Sequence, residues 1–230
     1  MKLTWLGHSG FRLETAEAVI LIDPWLDGCP TFPTERRAEA IEGATHILLT
    51  HAHFDHADEV AAIAKDTGAT VVGIFDLTTW LEAAHGLTCV GFNKGGTVAL
   101  GDAQVTMVNA THSSTRMEDG KPIDCGDPAG YMIAVDGKVI YLSGDTDIMA
   151  DMGWMADLHK PDIGILCAGG HFTMDMARAG YAAKTFFDFK TVIPCHYQTF
   201  PLLEQSADAL IAALPGVDVK TPAVMEIVEL

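Results

Sequence analysis

Short apolar and β-branched runs, separated by turn residues, recur along the whole chain. They predict strands at 2–7, 10–15, 18–23, 45–50, 69–74, 97–100, 103–109, 130–135, 138–142, 162–166, 191–194 and 224–228. Helical periodicity marks 56–67, 76–85, 148–158, 175–188 and 203–213. In "VDGKV" at 135–139 an Asp-Gly pair sits between two apolar runs, which predicts a hairpin turn. In "HADEVAAIAKDTG" acids occupy the first turn and Gly68 follows the last, both helix-boundary signals. Thr173 is read as the cap of the helix in "TMDMARAGYAAKTFFD". The Pro- and charge-rich segment 28–44 reads as a loop with one short helix, bordering a substrate cleft.

Strands cluster early, and helices alternate with strands later. That order predicts an α/β protein of mixed sheets with helices outside them. No repeat, low-complexity tract or linker divides the chain, so residues 1–230 are read as one domain. With 49% hydrophobic and 20% charged residues, the chain has enough apolar material for a sizeable core.

Composition narrows the function classes. Fourteen basic and 31 acidic residues give a formal charge of −17, and no Lys/Arg run is present. Such a surface repels polyanions, so a nucleic-acid partner is not expected. The apolar runs fall far short of the ~20 residues that cross a bilayer, so no membrane partner is expected either. The opening "MKLTWLGHSGFRLE" reads as a first strand and not a signal peptide, which places the chain in the cytoplasm. The five cysteines form no C-x-x-C pair and read as reduced, buried thiols. The expected partner is a small-molecule substrate, and homo-oligomer formation is left open.

The chemistry concentrates in "HILLTHAHFDHADE" at 46–59, where His51, His53, Asp55 and His56 fall within six positions. In extended backbone, residues i and i+2 face the same side, so His51 and His53 can reach one cation together. Asp55 and His56 stand at the turn into the next helix and diverge from that pair. One metal does not easily take all four, whereas two neighbouring metals can. Packed imidazoles without a cation would leave ring nitrogens unpartnered. The same arrangement, an apolar strand followed at once by His or Asp, recurs at His112, Asp145 and His196. Loops at strand ends are where a rigid sheet fixes a site. Imidazole and carboxylate suit zinc best, with Mn, Fe, Ni or Co as alternatives.

Other residues join the candidates. Asp23, behind the strand "AVILI", is read as an acceptor for a ligand imidazole's N–H. His8 is read either as lining the site or as part of a turn. His171 and Tyr197 are taken as substrate or oxyanion contacts, and Arg116 as an anion-binding candidate set against a solvated surface role. His46, His85 and His159 are read as structural or exposed. No G-x-S-x-G elbow is present, so Ser113 and Ser114 are given no catalytic part.

The H-x-H-x-D-H block, with His112 in "ATHSS", Asp145 in "LSGDT" and His196 in "IPCHYQTFP", resembles the metallo-β-lactamase superfamily. "WLGHSGFRLET", "VILIDPWL" and "GGHFTMDMARAGYAAK" look like the small metal-dependent hydrolases similar to ascorbate-6-phosphate lactonase. The resemblance covers essentially the whole chain. It implies an αββα sandwich of two mixed sheets with a dinuclear site on one edge. It also implies that His51, His53 and His112 hold a first metal, that Asp55, His56 and His196 hold a second, and that Asp145 bridges them.

A hydroxide between two divalent ions would then be the nucleophile, and Asp55 would orient it and take its proton. Metal coordination brings the pKa of water down to roughly 7. Two dications set against two carboxylates and the hydroxide leave a local charge of about +1, which draws a polarised carbonyl or phosphoryl group. The expected activity is hydrolysis of a small ester, lactone, amide or phosphodiester. The competing readings are a nucleic-acid-processing metallo-hydrolase and a diiron redox protein of the same fold.

Overall fold

The computed structural model describes all residues, Met1–Leu230. Two seven-stranded sheets pack face to face. The first runs Ile227–Glu229, Lys2–Gly7, Gly10–Glu14, Val19–Ile22, His46–Leu48, Thr70–Ile74 and Cys89–Phe92 across its width. The second runs Asp218–Val219, Thr191–Cys195, Ile163–Cys167, Lys138–Leu142, Ala129–Val135, Ala103–Asn109 and Thr97–Leu100. Both sheets are mixed. Each has an antiparallel half built from hairpins and a parallel half whose crossovers carry helices.

Burial follows this division. Ile163–Cys167, between parallel neighbours and under helices, is buried at every position. Cys89–Phe92, on an edge, is half exposed. One apolar cluster of 65 buried residues spans both sheets, so they share a single core.

The predicted strands are all present with shifted ends, and the differences have local causes. Cys89–Phe92 and the hairpin Thr115–Glu118/Lys121–Asp124 lack an apolar alternation because they are edge or exposed strands. The short Asp218–Val219 strand was likewise not expected. The helix expected at 56–67 is two helices, Phe54–Ala57 and Val60–Thr67. Between them Glu59 turns its carboxylate to the amides of Leu26, Asp27 and Gly28. The second helix ends at Gly68, whose φ of 74° allows its N–H to bond the Ala64 carbonyl.

The cap of the helix Met176–Phe186 is Asp175, which accepts from the Arg178 amide at 2.7 Å, and not Thr173. The helix expected over 203–213 is confined to Asp208–Ala213. Segment 28–44 does contain a short helix, Arg37–Ile41, but it borders no substrate cleft around the histidines. Glu59 holds its start, and Arg37 pairs with Asp27 and Asp66.

Strand direction decides where the site forms. Lys2–Gly7, Val19–Ile22 and His46–Leu48 run the same way in the first sheet. Ala103–Asn109, Lys138–Leu142 and Thr191–Cys195 share a direction in the second. The loops that follow these six strands carry His8, Asp23, His51, His112, Asp145 and His196. Two hydrogen bonds tie the sheets beneath them: Tyr131 Oη donates to the Leu49 carbonyl at 2.5 Å, and the Ala129 amide to the Thr50 carbonyl at 2.9 Å.

Candidate metal centre

Two knots of donor atoms stand side by side. In one, His51 Nε2 lies 3.0 Å from His53 Nδ1, and His112 Nε2 lies 3.3 Å from the same nitrogen. In the other, the donor atoms of His8, Asp55, His56 and His196 all lie within 4.8 Å of one another. Asp145, 2% exposed, stands between the knots. The structure therefore brings together all seven residues that the sequence offers as ligands.

Hydrogen bonds fix which ring nitrogen faces inward. Asp23 only accepts, taking the Thr50 amide at 2.8 Å, the Thr50 hydroxyl at 2.5 Å and His56 Nδ1–H at 2.8 Å. The Thr50 hydroxyl has thus spent its proton, so it accepts from His51 Nδ1–H at 2.9 Å. One carboxylate thereby sets both His51 and His56 with Nε2 lone pairs pointing into the site. His53 has Nε2 3.2 Å from Ser113 Oγ, which leaves Nδ1 facing His51 and His112.

His8 belongs to this framework. It is fully buried, with Nε2 2.9 Å from Asp55 Oδ2 and Nδ1 2.8 Å from Thr199 Oγ1. Its carbonyl accepts from the His196 amide and from Trp5 Nε1, which links the two sheets across the site. The signal for it was present in sequence: "LTWLGH" is one more apolar strand followed by a histidine.

The backbone is held in unusual shapes here. His8, Asp23 and His196 have φ of 49°, 42° and 60°. Side chains rarely adopt that region, and each instance costs on the order of 1–3 kcal/mol. Gly169 and Gly144 make room: a Cβ on Gly169 would overlap the His196 carbonyl, and one on Gly144 the Ala129 carbonyl.

Burial sets the charge states. It pushes His51 well below the usual imidazole range and His8 down to about 4. It lowers His53 and His112 as well. Burial also opposes charge on His56, but Asp145 and Asp23 outweigh it and raise the group well above its ordinary value. Asp145 is held well below the carboxylate range, because His196 and His56 overcome the cost of its burial. Asp55 is lowered as His8 and His56 overcome its burial. The field that would keep a proton on His56 is the field that would hold a cation at its Nε2.

The donor set fits a metal ion. His56 Nε2 and Asp145 Oδ1 are buried with no hydrogen-bond partner, a costly condition that a cation relieves. Imidazole nitrogens 3.0–3.3 Å apart, with a carboxylate between two such groups, are also what nitrogen- and oxygen-liganded divalent ions require.

A cavity of about 490 Å³ opens over the knots, lined by His53, Asp55, His112, Ser113, Asp145 and His196 and by the apolar Phe54, Phe172, Phe200 and Leu202. The four apolar residues were not singled out in the sequence, because nothing in their local pattern separates them from core residues. Tyr197 and His171 depart from expectation. Tyr197 is 2% exposed and stacks on Trp5 at 5.5 Å, since the residue after inward-facing His196 faces the other way. His171 is exposed and lies in an adjoining cleft, edge-on to Phe172. Arg116 pairs with Asp58 and lies over the Trp80 ring at 4.3 Å, outside the cavity.

Two mixed sheets face to face, helices outside them and a His/Asp cluster on one edge define the metallo-β-lactamase class of metal-binding hydrolases. The chain belongs to the beta-lactamase superfamily domain family, whose family model matches residues 19–197. It is 66% identical over 226 residues to a UPF0173 metal-dependent hydrolase of Cereibacter sphaeroides, with 98% of each chain covered. A second UPF0173 metal-dependent hydrolase, from Paracoccus denitrificans, is 64% identical over 226 residues, again with 98% of each covered. Among solved structures, a metallo hydrolase from the hyperthermophilic archaeon Ignicoccus hospitalis superposes with a TM-score of 0.85 at 32% identity, covering 99% of this chain and 97% of that one. The protein is thus a metal-dependent hydrolase of this superfamily, and the likeness to ascorbate-6-phosphate lactonase is a loose one. No helix is long and apolar enough to cross a membrane.

Proposed function

We propose that the chain is a dinuclear hydrolase that cleaves a small ester, lactone, amide or phosphodiester. His51, His53 and His112 would hold one divalent ion and Asp55, His56 and His196 the other, with Asp145 shared and zinc the first choice of metal. When bound, such ions supply Lewis acidity and an acidified water.

The observation that supports two ions is the place of Asp145. Its Oδ2 lies 3.9 and 3.7 Å from Nε2 of His51 and His112 on one side, and 3.4 and 3.0 Å from Nε2 of His56 and His196 on the other. A carboxylate within reach of both knots is placed to bridge them.

The chain's own groups do the rest. Asp23 keeps the proton on Nδ1 of His56 and, through Thr50, on Nδ1 of His51. Asp55, steadied at Oδ2 by His8, lines the cavity and is placed to receive the water's proton at its other oxygen and pass it to the leaving group. Phe54, Phe172 and Phe200 give the reacting centre an apolar wall. The partner is a small molecule, because a charge of −17 disfavours polyanions.

Metal content after zinc reconstitution, measured with hydrolysis of a panel of the four substrate classes, tests the reading. Two equivalents per chain are expected, falling in Asp145→Asn together with a drop in hydrolysis of about 100-fold or more. One equivalent in the unaltered chain would sink the dinuclear proposal. A fully loaded protein inert towards the whole panel would sink the substrate range.

A further inference from the structure

The mouth of the cavity carries a second kind of information. Phe54, Phe172 and Leu202 are each 54% exposed. They converge with Phe200 on the same opening. Phe54 and Phe200 are backed by Trp25, at ring separations of 5.6 and 5.9 Å, so this wall is a packed aromatic platform.

No lysine or arginine lines the cavity. Cations near its lining in sequence are engaged elsewhere, Lys190, for example, pairing with Asp162. Arg116, three residues after Ser113, pairs with Asp58 and covers Trp80. Arg178, six residues after Phe172, makes a two-pronged pair with Asp147. The adjoining cleft, which shares Leu202, adds the carboxylates Asp175 and Glu204. A phosphate or carboxylate on the far end of a substrate would meet phenyl rings and negative charge, and leave its own charge unpaired.

We infer that the substrate's non-reacting part is an uncharged apolar group, aromatic or branched aliphatic, seated against Phe54, Phe172, Phe200 and Leu202. This rests on the hydrolase reading above for the reacting end only. The platform recognises the other end through apolar contact and through the absence of a cation. Substrates with a phosphorylated or carboxylated tail are thereby disfavoured, which separates this chain from a sugar-phosphate lactonase.

Two measurements on the zinc-loaded protein test this. The first is calorimetric binding of 4-phenylbutanohydroxamate against acetohydroxamate and against the hydroxamate of glutaric acid monoanion, all with the same metal-seeking head. The phenyl tail is expected to tighten binding about tenfold or more over the methyl, and the carboxylate tail to weaken it. Phe54→Ser and Phe172→Ser, at exposed positions that leave the core intact, are expected to erase most of the phenyl advantage. The second is hydrolysis of phenyl hexanoate against phenyl hydrogen glutarate, where kcat/KM is expected to favour the hexanoate at least tenfold.

Equal affinity for the three hydroxamates, no binding by any of them, or preference for the carboxylate tail would overturn the inference. A phenyl preference that survives both serine substitutions would overturn the assignment to this platform. If the phenyl hydroxamate binds preferentially while neither ester is hydrolysed, the platform stands and the proposed ester chemistry falls.

Discussion

Asp23 accepts a hydrogen bond from His56 Nδ1 at 2.8 Å, and neither residue is more than 1% exposed. The same carboxylate reaches His51 through the Thr50 hydroxyl. Asp23 does not line the metal cavity, yet it orients one imidazole in each donor knot. Its φ of 42° and its three donors explain how the chain turns there: the turn aims the carboxylate at the histidine loop.

Asp23→Asn keeps the shape but replaces an acceptor oxygen with an NH₂ group that cannot accept. Metal affinity should fall about 10–100-fold. Competition with a chromogenic chelator would measure it. An unchanged affinity would show that the two imidazoles need no orienting partner.

His8→Leu fills similar space but leaves Asp55 Oδ2 without its donor and Thr199 without its ring nitrogen. The second knot should weaken before the first. Zinc stoichiometry should therefore drift from two towards one at limiting metal, with hydrolysis falling in step. Retention of both equivalents at full affinity would contradict the role given to His8.

Gly144→Ala should be severe, because Gly144 has φ of 59° and its added Cβ would overlap the Ala129 carbonyl. The loss should be about 2 kcal/mol or more in urea denaturation of the metal-free protein. Asp145 follows directly, so metal content should fall as well.

Tyr197→Phe should be nearly silent. The ring stacks on Trp5 and the residue does not line the metal cavity. Thermal stability and kcat/KM within about twofold of the unaltered chain are expected. A large loss of kcat would return Tyr197 to the catalytic set.

Cys167 gives a pH prediction. Burial pushes its thiol up to about 12, against an ordinary value of 9.0. Between these values the unfolded chain loses a proton that the folded chain keeps. Stability is therefore full below about pH 9 and declines as pH rises towards 12. Burial raises Tyr131 and Tyr141 too, which acts in the same direction. Urea titrations from pH 8 upward should show a falling midpoint, and Cys167→Ala should flatten the fall.

Much of the site was legible before any coordinates. His51 and His53 declare themselves by i, i+2 spacing, and His112, Asp145 and His196 by following apolar strands. These are local features, and local chain geometry governs them. The hairpin at Asp136-Gly137 and the helix end at Gly68 were readable for the same reason, since each needs a residue tolerant of positive φ. Thr173 against Asp175 shows the margin of such reading: two polar residues in one loop can each cap, and the turn geometry selects one.

The sequence by itself determined most of the core strands and helices, the metal-binding character and the set of ligand-type residues, because periodicity and spacing are properties of the chain. Only the tertiary structure decided that six loops from two sheets share one edge, because that follows from strand direction. It alone turned Tyr197 away towards Trp5, set Asp23 behind two histidines and gathered Phe54, Phe172, Phe200 and Leu202 into one wall. Those relations join residues as many as 192 positions apart, as Trp5 and Tyr197 are, and no local pattern encodes them.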